Sequence, residues 1–373
     1  MESMTDRTAP DPGATKSPTV ALAQFSGSPK QNPYVWRLGT SLSDAGVNVL
    51  PMPASAFFLF RYGNARRADV IHFQWYEVLV GADSLVKMLV KSAAFLFQLR
   101  LCRLLGKRLV WTVHNQQSHE AVNPRLEQWV ARRMARLVDR MIVHCEGARL
   151  SVAEHLDVNG DRVVSIPHGN FVGLYADTMD RDSARKQLGY TNDETVLLFF
   201  GNIRPYKGVE HLVDVVRQTD APQLRLVIAG KTSDARLAEA LHDAAADDAR
   251  ITLETRFIPD DEVQTYFRGC DAAVFPYRSI LASGAVILAM SFGTVCVAPA
   301  IGCIPAVLDR SANFLYDAGD PRGLQDAIER LLADRNDLPR MGQTNANNAL
   351  RLDWSDVASR TAKTYQDILS NDR

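Results

Sequence analysis

The chain has 373 residues, 46% of them hydrophobic, with 42 Lys and Arg against 43 Asp and Glu. That length is enough for two domains with separate cores, and the ordinary apolar content excludes a disordered chain. The net charge of −1 excludes a uniformly basic polyanion binder, so any anionic partner has to be met locally.

In chain order, residues 1–18 (MESMTDRTAPDPGATKSP) are polar and rich in Pro, Ser and Thr. They lack the apolar core of a signal peptide and read as a disordered tail. Val20–Phe25 reads as the first strand, followed by the loop Ser26-Gly27-Ser28-Pro29 and a helix opened by Asn32-Pro33. A glycine-containing loop after a first strand is where open α/β sheets place ligands, although an ordinary βα turn fits the same residues. Val70–Trp75 is a second strand with Gln74 and nearby Glu77 at its C-terminal edge.

Leu85–Leu105 reads as a helix capped by Asp83 or Ser84, with Ser84, Lys87, Lys91 and Gln98 on one polar stripe. Its longest uncharged run, Ser92–Leu99, is too short for a bilayer crossing that needs about 20 residues. A core helix and an interfacial helix both fit the pattern. Residues 87–140 hold eleven Lys or Arg and three acids, net +8, which leaves the remainder net −9. With the arginine-rich helix Pro124–Arg140, this favours contact between residues 85–140 and an anionic membrane. Nucleic acid is not expected, because the cations alternate with aliphatics and not with stacking aromatics. Leu109–Val113 is a buried strand with His114-Asn115 at its C-terminal edge, and His119-Glu120 follow. Met141–Cys145 and Val163–Ile166 complete the half, which ends in Pro167-His168-Gly169-Asn170.

A polar hinge spans Leu174–Asp193, and the αβ alternation then repeats. Strands are expected at Val196–Phe200, Leu224–Ala229, Ile251–Leu253, Ala272–Phe275, Val295–Ala298 and Asn313–Leu315, with helices between them and at Pro321–Ala333 and Asp356–Leu369. The stretch VLLFFGNIRPYKG (Val196–Gly208) combines a buried strand, a glycine turn, the cations Arg204 and Lys207, and a helix start. Backbone N–H groups and two mobile cations meet there, as in a seat for a diphosphate, although a βα turn with surface Arg and Lys fits the same residues. Ser283-Gly284 opens an apolar helix and offers a second set of free amides, which a plain Ser N-cap would also explain. The five cysteines are scattered without a C-x-x-C and read as buried reduced thiols.

GNIRPYKG resembles the donor loop of GT-B glycosyltransferases, which commonly reads G-R-x-x-P-x-K-G in the large bacterial polysaccharide and glycolipid group. The resemblance runs from about Val20 to Leu369. It implies an α/β fold of two Rossmann-like, doubly wound parallel-sheet domains facing across a cleft. Residues 19–185 would form the acceptor domain, completed by a helix at about 356–373, and residues 186–355 the donor domain. Gly201, Asn202, Arg204, Lys207, Gly230, Lys231, Arg256, Ser283 and Gly284 would bind a nucleoside-diphosphate sugar, with Arg204 standing in for the common Arg that Asn202 replaces. Gly27, Ser28, Glu77 and His168 would line the acceptor side of the cleft, and the TVHN turn would point His114 at the transferred sugar.

The chain departs from the retaining members of that group, whose E-x7-E carboxylates fall here on Ile280 and Leu288. The expected activity is therefore hexosyl transfer to a lipid-linked saccharide or similar acceptor, with inversion open to it, for example a mannosyltransferase using GDP-mannose. Glu120, His119 and His114 are the expected catalytic residues. With cations at the leaving group, neither metal nor cofactor is expected. The expected location is the cytoplasmic face of the cell membrane. A non-catalytic sugar-nucleotide binder is the competing reading.

Overall fold

The computed structural model describes residues 17–28, 32–116 and 123–370. Most of the expected tail, Pro29 of the first loop, and the pair His119 and Glu120 lie outside the described residues. Among the described residues, twelve strands form two six-stranded sheets whose pairings are all parallel. The first holds β1 (Thr19–Ala23), β2 (Asn48–Met52), β3 (Val70–Phe73), β4 (Arg108–Thr112), β5 (Arg140–Val143) and β6 (Val163–Ser165), in the order β2-β1-β3-β4-β5-β6. The second holds β7 (Thr195–Phe200), β8 (Leu224–Ala229), β9 (Ile251–Glu254), β10 (Ala272–Val274), β11 (Val295–Pro299) and β12 (Phe314–Tyr316), in the order β12-β11-β10-β7-β8-β9.

These strands lie where continuous apolar runs predict them, because helices cover both faces of a parallel sheet and leave no polar side. Val196–Phe199, for example, is fully buried. β2 escaped the pattern, since Pro51 argues against a strand. It is an edge strand, where a missing N–H costs nothing. Strand order reverses between β1 and β3 in the first sheet and between β7 and β10 in the second. In open α/β sheets such reversals mark the ligand crevice, beyond the C-terminal ends of the strands.

The two C-terminal edges meet. Leu281 and Cys303 of the second domain belong to the core that holds Phe73, Trp111 and Cys145 of the first. Cys145 and Cys303 form a disulfide with a Cα–Cα distance of 5.5 Å, which corrects the expectation of reduced thiols for these two residues. They stand 158 residues apart, so no local spacing announced the pair. Cys102, Cys270 and Cys296 are buried free thiols.

The crossing between domains comes earlier than the boundary expected at 186. Phe171 already packs in the second core and donates its N–H to Ser291 Oγ at 3.0 Å. The helix Arg181–Leu188, placed in the hinge by its polarity, is anchored there too, with the buried Arg185 guanidinium 2.5 Å from Asp271. The terminal helix Trp354–Ser370 returns to the first domain, where Trp354, Val357 and Tyr365 pack on Val20, Leu22 and Val35. In the helix Leu85–Leu104, Gln98 does not join the expected polar stripe but turns into the core. Its amide accepts from Leu59 N–H at 2.9 Å and donates to the Ala56 carbonyl at 2.7 Å, which ties the short helix Phe58–Arg61 and the turn before it to this helix. Val86, Val90, Ala93, Phe97 and Leu104 face outward instead.

Candidate active site

Around the β7/β10 reversal, the loop after β7 and the loop after β10 are locked together. Gly208 has φ 67°, and a Cβ added there would lie 2.2 Å from the Pro276 carbonyl, so only glycine fits. Arg278 N–H donates to the Tyr206 carbonyl at 2.9 Å. The Lys207 ammonium thereby sits over Gly201, 5.8 Å from the Phe199 ring centroid and 5.9 Å from that of Tyr277. Burial, and then the neighbouring Arg204 charge, push its pKa down to about 8. The Tyr277 hydroxyl lies 3.1 Å from Ser283 Oγ, which also accepts from Val286 N–H and caps the helix Gly284–Ser291. One lysine ammonium, a phenol and a capped helix start therefore surround the ends of β7 and β10, as an anion seat requires.

Gly201 and Gly230 touch through their backbones at the ends of β7 and β8, and Asn202 and Lys231 are exposed beside them. Arg256 is not a free cation. It pairs with Glu254 at 3.2 Å and Glu262 at 2.5 Å. Arg204 lines a neighbouring surface depression with Ser233, Asp234 and Arg236. Tyr277 and Arg278 were missed in the sequence. The available signal was an aromatic and a cation directly past a buried strand, at the point where strand order reverses.

In the first domain a hydrogen-bonded chain runs under the strand ends. His144 Nδ1 lies 3.1 Å from the Ile166 carbonyl, which can only accept, so this nitrogen carries the proton. His144 Nε2 then accepts from His114 Nδ1 at 3.3 Å. His114 Nε2 must in turn accept from the Gln74 amide 2.9 Å away, and this network assigns the Gln74 NH2 toward His114. The amide oxygen then faces His72 Nε2, whose Nδ1 accepts from Tyr365 OH at 2.6 Å. Burial keeps these rings neutral, His144 down to about 4 and His72 to about 3, with His114 well below the usual range.

Both nitrogens of His114 are hydrogen-bonded, its ring stacks on Trp75 at 4.0 Å, and it is 8% exposed. His168 lies where the halves meet. Its Nδ1 donates to the Gly169 carbonyl at 2.6 Å, and its Nε2 is 3.7 Å from the position of a Cβ on Gly284. Gly27 takes a left-handed φ of 76° in the loop beyond β1, with Ser28 beside it. Gln24, also left-handed at φ 65°, bonds both ways to the Trp75 backbone, at 3.2 and 3.3 Å. It fixes the β3 end that carries Glu77. Burial raises the Glu77 carboxyl to about 7, and the Glu127 charge adds to this, while a hydrogen bond to the Asn115 side chain opposes it.

Comparison with known proteins agrees with this arrangement. The family described as Glycosyltransferase Family 4 matches residues 19–169, and the one described as Glycosyl transferases group 1 matches residues 194–334. A GDP-mannose:glycolipid 4-beta-D-mannosyltransferase of Xanthomonas campestris pv. campestris is 28% identical over 361 residues, covering 95% of this chain and 93% of that protein. A D-inositol 3-phosphate glycosyltransferase of Corynebacterium glutamicum is 26% identical over 245 residues, 63% of this chain and 58% of that one. Among solved structures, a sucrose-phosphate synthase of Thermosynechococcus elongatus superposes with a TM-score of 0.76 at 19% identity, covering 95% of this chain and all of that one.

Proposed function

The chain belongs to the group 1 glycosyltransferases of the GT-B fold, and on that premise we propose that it transfers mannose from GDP-mannose to a lipid-linked saccharide with inversion at the anomeric carbon. The observation that carries the reading is the composition of the donor crevice. Lys207, Tyr277 and Ser283 converge there, and from Ala272 to Leu308 the chain has no Asp or Glu. The diphosphate leaving group thus meets a cation and a helix start, while no carboxylate stands at the E-x7-E positions. A β-product from an α-linked sugar nucleotide requires inversion, and the mannosyltransferase similar to this chain along nearly its whole length is named for a 4-beta linkage.

Lys207, with Arg204 nearby, would supply electrostatically what a divalent ion supplies in other transferases. Gly201, Asn202, Gly230, Lys231, Arg256 and Gly284 would complete the nucleotide side, and Gly27, Ser28 and His168 the acceptor side. The acceptor would reach the cleft from a membrane. No helix among the described residues is long and apolar enough to cross one. The outward stripe of Val86, Val90, Ala93, Phe97 and Leu104, with exposed Arg100 on the same helix, suits shallow insertion into an anionic leaflet.

The test is transfer from GDP-mannose to a short-chain lipid-pyrophosphoryl saccharide, with UDP-glucose as the competing donor and EDTA present. A β-mannoside seen by NMR, undiminished by EDTA, supports the proposal. An α-linked product, or activity that returns only with a divalent ion, overturns the inverting or the metal-independent part respectively.

A further inference from the structure

An inverting transfer needs a base at the acceptor hydroxyl, and the first sheet narrows the choice. The five residues that follow each of its six strands contain two carboxylates, Glu77 past β3 and Glu146 past β5. Glu146 is engaged with Arg149 at 2.6 Å on an exposed edge, away from the strand reversal. Glu77 follows β3 at the reversal itself, where β1 and β3 are neighbours. Gln24 in its left-handed conformation clamps the backbone two residues before it, and such strained backbone persists where the surroundings over-determine it. The Asn115 side chain, from the end of neighbouring β4, favours the charged form of the carboxylate.

We propose that the Glu77 carboxylate is the general base of the transfer, a role that rests on the inverting reading above. The acceptor O–H bond breaks and its proton passes to Glu77. The acceptor oxygen forms its new bond to the anomeric carbon on the face opposite the diphosphate. The bond from that carbon to the diphosphate breaks, and its electron pair leaves with the diphosphate toward Lys207. The groups around Glu77 suit this task. Glu127 of the helix Pro124–Leu137 opposes its ionisation. Tyr76 donates to the Glu127 backbone carbonyl at 3.3 Å, and Lys91 of the helix Leu85–Leu104 caps the Glu77 helix at the Gly81 carbonyl, 2.6 Å away. A carboxylate raised to about 7 is poised to accept a proton near neutral pH, where base catalysis is most efficient.

The experiment measures mannose transfer from GDP-mannose to the short-chain lipid-pyrophosphoryl saccharide, alongside GDP binding by calorimetry. In Glu77→Gln, kcat should fall by about 10²–10⁴-fold with GDP affinity within twofold of wild type. Wild-type kcat should decline as pH drops through about 7, and that acidic limb should vanish in the variant. In Glu77→Ala, added formate should restore part of the turnover, which a merely structural loss would not allow. Glu146→Gln should keep wild-type turnover. A Glu77→Gln enzyme that keeps more than a tenth of wild-type kcat, or keeps the acidic limb, overturns the assignment. So does a folded, GDP-binding Glu77→Ala enzyme that formate fails to rescue. A wild-type enzyme that makes an α-linked product overturns the inverting reading and the base together. A β-linked product with an unimpaired Glu77→Gln enzyme overturns the base alone.

Discussion

Lys207 and Glu77 show how single residues are tuned by opposite penalties. Each charge is partly withdrawn from water, so the lysine is pushed down to about 8 and the glutamate up to about 7. A diphosphate at the donor crevice would restore the lysine's charge, so GDP binding should weaken between pH 7 and 9.5 as the free ammonium is lost. Lys207→Ala should bind GDP about ten- to a hundredfold more weakly at pH 7, the ~1.5–3 kcal/mol of a charged hydrogen bond, and should lose this pH dependence in calorimetry. For Glu77 the linkage has the other sign. Its folded pKa lies above the unfolded value near 4.5, so its ionisation destabilises the fold increasingly as pH rises from about 4.5 to about 7. Glu77→Gln should therefore raise the thermal midpoint at pH 8 and leave it unchanged at pH 4, as scanning calorimetry would show.

At the scale of an element, the helix Leu85–Leu104 has two apolar sides. Met88, Phe95, Leu96 and Leu99 face the core, while Val86, Val90 and Phe97 are more than half exposed. An Asp at Val90 and Phe97 together should abolish flotation with anionic vesicles and leave GDP binding intact. Substitutions at positions this exposed usually change stability by less than about 0.5 kcal/mol each. The donor loop is the contrary case, an element with no slack. Gly208→Ala forces a Cβ into the Pro276 carbonyl in a left-handed conformation, so it should displace Lys207 from Tyr277 and weaken GDP binding at least as much as Lys207→Ala.

At the scale of the whole molecule, a covalent link joins the halves and four buried histidines gather in the first. The Cys145–Cys303 disulfide should appear as a cross-linked peptide in a non-reducing digest, with three thiols left to alkylate. Reducing it should lower unfolding stability by about 2–5 kcal/mol, since it closes a long loop in the unfolded chain. His72, His114, His144 and His168 are all held below their usual range by burial. As pH falls below about 6.5 the unfolded chain takes up these protons and the native state does not. Stability should therefore drop steeply from pH 6.5 toward 4, and a His144→Gln variant, with one such proton fewer, should show a shallower slope in pH-dependent denaturation.

The apolar runs determined by themselves that two parallel sheets would form and that a turn carrying a glycine and two cations would follow β7. The reason is that a doubly covered strand must be continuously apolar, and a phosphate-binding turn needs its glycine and cations in one short stretch. The absence of Asp and Glu from Ala272 to Leu308 could likewise be read locally. It could not show that Tyr277 would meet Ser283, that Gln98 would turn inward, that His114 would be bonded at both nitrogens, or that Cys145 would reach Cys303. Each of these depends on which strand neighbours which. Strand order and the seating of one domain on the other are set by packing between segments far apart in the chain, and only the tertiary structure decided them.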